Sequence, residues 1–87
     1  MSQAETRLVI KNGFKGDEIV VESANPHEAI ESALDYWGDE WQKKMGDRAV
    51  VLRKGYELFE VRDWRNWRDL GVYPHEVLTL IPNPCVS

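Results

Sequence analysis

Asn66-Trp67-Arg68-Asp69-Leu70-Gly71-Val72-Tyr73-Pro74-His75-Glu76-Val77-Leu78-Thr79-Leu80-Ile81 is the stretch whose reading decides the fold. It opens on a helix-start signature. Asn66 is a good N-cap, and Asp69 stands where a capping box places its acid. This predicts a one-turn helix carrying Trp67 and Leu70. Gly71 ends it, because glycine enters the left-handed region that side chains disfavour. His75 to Ile81 then predicts a final strand, with Leu78 and Leu80 on the core face. Pro82 and Pro84 lack the N–H that a ladder needs and stop that strand.

Working outward, Ala49 to Leu52 reads as a third strand, Arg53-Lys54-Gly55 as a turn and Tyr56 to Val61 as an extended run. Upstream lies a longer helix. Asn25 caps it, Pro26 suits its first position and Glu28 completes a capping box. Ile30, Ala33, Leu34, Trp37, Trp41 and Met45 recur at helical spacing and predict one buried stripe. Glu28, Glu31, Asp35 and Asp39 mark a solvated opposite face. Gly38 is expected to end the regular helix early. At the amino end, Arg7 to Lys11 and Asp17 to Glu22 are strands joined by Asn12-Gly13-Phe14-Lys15-Gly16, which predicts a hairpin. Residues 1–6 and 83–87 are expected to be flexible ends of a single domain spanning 1–87.

The order is hairpin, helix, two strands, short helix, strand. The helix supplies the crossover that parallel strands require. The expected class is α+β, with a mixed sheet of four or five strands, one main helix on one face and a short second helix. This order, with the motif of residues 66–81, resembles the ubiquitin-like (β-grasp) family. Asn66, Asp69, Gly71 and Val72 fall on that family's capped short helix, and Leu78 and Leu80 fall on the core leucines of its last strand. The resemblance covers about residues 7–82. It departs at the end, where the chain reads Ile81-Pro82-Asn83-Pro84-Cys85-Val86-Ser87 instead of Gly-Gly. That departure argues against conjugation or sulfur carriage. A few extra residues also precede the short helix.

Composition narrows the function further. The chain has 87 residues, 43% hydrophobic and 30% charged, which fits one small globular domain. Its net charge of −4 argues against non-specific nucleic-acid or membrane binding. The single cysteine, Cys85, excludes an internal disulfide and a four-cysteine iron–sulfur cluster. His27 and His75 are far apart and predict no zinc site, so no cofactor or metal is expected. No apolar run approaches a membrane span and the amino end lacks a signal-peptide core. The expectation is a cytoplasmic monomer without enzymatic activity, an adaptor or modulator that binds another protein.

The resemblance implies a binding surface on the outer sheet face. By position, Phe14 at the hairpin tip, Leu52 on the third strand and Ile81 on the last strand would form it, with Val9 and Thr79 alongside. A slip of one residue would put Val51 outward and Leu52 inward. The bland reading of these side chains is scattered exposed apolar groups. A second candidate is the segment Arg62 to Arg68, with Trp64, Arg65 and Arg68 as contacts. Aromatic and basic residues alternate there, as in binders of single-stranded nucleic acid. Asp63 and Asp69 offset the arginines, so a protein contact centred on Trp64 is the stronger reading. His75 beside Glu76 is read as two surface residues, not an acid–base pair. One rival function is a small phage-type inhibitor that blocks a host complex by occlusion. Another is an enzyme subunit or cofactor carrier.

Overall fold

Alternating apolar residues hold the sheet on the helix. The computed structural model describes residues 5–45 and 50–83, without the side chains of Asp39, Gln42, Lys44 and Met45. Expectations for Ala49, Pro84, Cys85 and the outermost ends lie outside those residues. The elements are β1 (Thr6–Asn12), β2 (Glu18–Ser23), α1 (Pro26–Met45), β3 (Val50–Lys54), β4 (Glu57–Glu60) and β5 (Val77–Pro82). The five strands lie in the order β2-β1-β5-β3-β4. β1 and β5 run parallel, with Ile10 beside Leu78. The other neighbouring pairs are antiparallel.

One face of this sheet carries Leu8, Ile10, Val21, Leu52, Phe59, Leu78 and Leu80, all buried. Against it α1 lays Ala29, Ile30, Ala33, Trp37 and Trp41 in a single core. Each large aliphatic side chain so buried contributes about 1.5–3 kcal/mol relative to exposure. Asn25 caps α1 as its sequence predicts, while Glu28 closes on Ala24 rather than on the cap residue itself. Asn25 Oδ1 accepts the Glu28 N–H at 2.9 Å. Glu28 reaches back to the Ala24 N–H at 2.9 Å. Gly38 leaves the helical region (φ 35°, ψ −112°) and interrupts α1 as expected, so that a second helical piece carries the chain on to Met45.

Several boundaries differ from expectation: Arg53 and Lys54, expected in a turn, extend β3, and Asn12, expected in the hairpin turn, belongs to β1. Thr6 pairs with Ser23 in the sheet instead of fraying. β5 begins at Val77, not His75, because His75 takes a positive φ of 71°. There its N–H bonds the Arg7 carbonyl at 2.7 Å. Pro82 still pairs with Val50. The short second helix is not regular. Residues 66–72 form overlapping turns, with Leu70 N–H on the Asn66 carbonyl (3.2 Å) and Val72 N–H on the Trp67 carbonyl (2.9 Å). Gly71 takes φ 75° and closes them. The expected Asn66 cap does not form, since its Oδ1 is buried without a hydrogen-bond partner among the described residues.

Candidate functional site

Register fixes which side chains share the face away from α1, because neighbours along a strand alternate. Val9 lies opposite Val20 on β2 and Val77 on β5. The three form a row across the outer face, with Val20 62% and Val77 50% exposed. The next row carries Lys11, Thr79, Arg53 and Leu58. Ile81 lies beyond it, opposite Val51. A Cβ on Gly13 would fall 2.8 Å from Ile81 Cγ2, so the hairpin tip covers part of that side chain.

The expected convergence of Phe14, Leu52 and Ile81 does not form. Leu52 is 0% exposed and belongs to the core. The one-residue slip is realised, because Leu52 pairs with Leu80 and therefore faces inward with it. Phe14 turns toward the helix, its ring centroid 4.5 Å from that of Trp41. Asn12 directs it there by accepting the Phe14 N–H at 2.8 Å. Val9, Thr79 and Ile81 do share the outer face. Val20 and Val77 were missed, although stepping back by twos from Ile81 reaches Thr79 and then Val77.

The segment after β4 is tied to the start of α1. His27 Nδ1 lies 2.6 Å from the Val61 carbonyl oxygen, and the His27 backbone N–H donates to the Asp63 carbonyl at 3.0 Å. The Trp64 ring stacks on His27, with centroids 3.9 Å apart, and remains 60% exposed. Arg65 makes two side-chain hydrogen bonds to Asp63, at 3.0 and 2.7 Å. Those bonds hold the Asp63 carboxyl below its usual range, against a smaller opposing effect of burial. Trp67 is buried, donating from Nε1 to Ser23 Oγ at 2.9 Å. Arg68 is exposed and lines a different hollow from Trp64 and Arg65. No sequence signal pointed to His27, whose contact with Trp64 spans distant segments.

Val51, Leu58, Glu60, Arg62, Trp64 and Arg65 line an open groove of about 670 Å³. It continues the outer sheet face past β4. Val51 faces this side yet is only 1% exposed. No cluster of His, Cys, Asp or Glu suited to a metal occurs among the described residues. No described helix is long and apolar enough to cross a membrane.

With the mixed sheet, the crossing helix and the parallel pairing of β1 with β5 established, known structures can be compared. The ubiquitin-like domain of yeast Ddi1 matches with a TM-score of 0.66 over 100% of this chain and 99% of that one, at 13% identity. The fold is ubiquitin-like. A ubiquitin-like domain from an Arabidopsis thaliana protein matches at TM-score 0.59 and 10% identity, covering 93% of this chain and 80% of that one. The C-terminal ubiquitin-like domain of human 2'-5'-oligoadenylate synthetase-like protein also reaches 0.59, at 13% identity, over 100% and 93%. The sequence matches no protein-family model and no curated protein. At these identities the ubiquitin-like likeness concerns the fold alone.

Proposed function

We propose that this domain is a non-enzymatic interaction module, an adaptor or modulator that binds another protein through the outer face of its sheet. The observation that carries the reading is the row Val20–Val9–Val77, aligned by register and left open on the side away from α1. Contiguous exposed apolar surface tends to mark contact sites. Thr79 and Ile81 extend the surface along β5, while Leu52 and Phe14 do not belong to it. Ubiquitin-like domains commonly serve as interaction modules, which agrees with this reading at the level of class. A cytoplasmic, monomeric setting is part of the same proposal.

The test is affinity capture from the cells that encode the chain, followed by binding measurements with the captured protein. Val20→Asp with Val77→Asp should abolish that binding, because each puts a charge where an apolar contact forms. Glu31→Ala, on the exposed side of α1, should leave it intact. Equal loss in both, or in neither, would refute the sheet-face assignment.

A further inference from the structure

The groove beside Trp64 has three properties that together describe an occupant. Its floor is apolar, made by Val51 and by the half-buried Leu58. Its wall is an exposed indole already fixed in place by the His27 stack, so little freedom is lost when a partner covers it. Exposed Trp and Arg side chains held this way are the residue types that dominate binding energy at interfaces.

Charge supplies the third property. Arg7, Lys15, Lys54 and Arg65 each hold a carboxylate at 2.8, 2.6, 3.0 and 2.7 Å, respectively. Arg62, on the groove rim, pairs with no carboxylate among the described residues. Neither do Arg53 and Lys11, which lie in the adjoining row of the sheet face. Of the five described Lys and Arg side chains without a carboxylate partner among the described residues, Arg62, Arg53 and Lys11 thus lie on or beside this face, Lys11 opposite Glu18, while Lys43 and Arg68 lie elsewhere. The lining also includes Glu60 and Asp63. Those carboxylates oppose a phosphodiester backbone following the groove, whereas a peptide can place its charges side chain by side chain.

We infer that the groove takes an acidic peptide segment, with one large apolar side chain seated on Leu58 against the Trp64 indole and a carboxylate on Arg62. The inference rests on the reading of the domain as an interaction module, and it adds a second contact surface with a stated partner chemistry. The residues that build the wall come from the extra segment before the turns of residues 66–72.

The test uses the full chain labelled with nitrogen-15 and the acetylated pentapeptide Glu-Asp-Phe-Asp-Glu. Saturable shifts are expected in the amides of residues 58–65 and in the Trp64 indole N–H. Lys-Lys-Phe-Lys-Lys should leave them unmoved. Trp64→Ala and Arg62→Glu should each weaken the acidic peptide about tenfold, the change that 1.4 kcal/mol produces. Arg62 is exposed and its side chain makes no hydrogen bond or ion pair among the described residues, so Arg62→Glu keeps the test valid even where Trp64→Ala disturbs the loop. Shifts at Val9, Val20 and Val77 without shifts at 58–65 would overturn the groove and leave the sheet-face reading standing. An oligothymidylate that moves the groove while the peptide does not would assign it to nucleic acid instead. Absence of any peptide shift would also overturn the inference.

Discussion

Asn25 and Asn66 carry the same helix-start signature, and only one of them uses it. Asn25 Oδ1 accepts the Glu28 N–H at 2.9 Å, and regular helix follows as far as the break at Gly38, with a second helical piece beyond it. Asn66 Oδ1 is buried with no partner among the described residues, and turns follow instead of a helix. The difference lies downstream of the cap. After Asn25 an apolar stripe continues through Ala29, Ile30, Ala33, Trp37 and Trp41, and burial of that stripe sustains the helix. After Asn66, Trp67 is pulled toward the start of α1. Its N–H bonds the Ala24 carbonyl at 3.2 Å and its indole bonds Ser23. Gly71 then turns the chain. A capping signature starts a helical turn, but packing decides whether the helix continues.

Trp67→Ala offers the strongest way to break this comparison. If Trp67 anchors the second segment, truncation should cost about 3–5 kcal/mol, the range for a buried aromatic. That is a large part of the roughly 5–15 kcal/mol that holds a typical domain. Phe59, edge-on at 5.6 Å, would also lose its partner. Urea melts would measure the change, and a cost under about 1 kcal/mol would show that Trp67 is not the anchor.

A smaller effect is expected at the first cap. Asn25→Ala should cost about 0.5–2 kcal/mol, through loss of the bond to the Glu28 N–H. The same melts measure it. A loss from Asn66→Ala equal to that from Asn25→Ala would erase the distinction between the segments.

The core was legible in the sequence because period-2 and helical spacing name Ile10, Leu78, Leu80, Ile30 and Trp37 directly. The Asn25 cap was legible because all of its partners are local. The site was legible only in part. Leu52 and Val51 are adjacent and similar, so composition could not set the register, which pairing with Leu80 decides. Phe14 sits at the hairpin tip as expected, but its direction depends on Trp41, far along the chain. The Trp64 wall depends on His27 in the same way. Contacts of that kind leave no local periodicity to read.

The loop that holds Asp63 should respond to pH. The hydrogen bonds from Arg65 hold the Asp63 carboxyl below its usual range, so the ionised form favours the folded loop. A depressed folded pKa contributes stability above the unfolded value, near pH 4, and loses it as pH falls through the folded value. Wild type should therefore melt slightly above Asp63→Asn at neutral pH. The gap should shrink as pH falls below about 4 and on through the lowered folded value of Asp63. Paired thermal scans across that range measure the gap, and one that is constant with pH would show that Asp63 acts without its charge. The effect should be small, because Arg65 is mostly exposed and the pair is screened.

The smallest expected effect is the sharpest test of the comparison. Asn66→Ala removes a buried acceptor that has no donor, so no bond is lost. Removing an unsatisfied polar atom can be neutral or stabilising, whereas removing one partner of a bond strands the other. The backbone carbonyl of Asn66 keeps its bonds from Asp69 and Leu70 in the variant, so the turns have no reason to open. The expected change is within about 0.5 kcal/mol of zero, with either sign. Asn66→Asp should behave differently. It would place a carboxylate where no donor meets the side-chain oxygen, and burial of an unpaired charge is costly. That loss should fade as pH falls and the new carboxyl protonates. Equilibrium urea melts of both variants at neutral and acid pH separate the cases. If Asn66→Ala instead costs as much as Asn25→Ala, the Asn66 side chain caps the turn in solution and the two segments differ only in length.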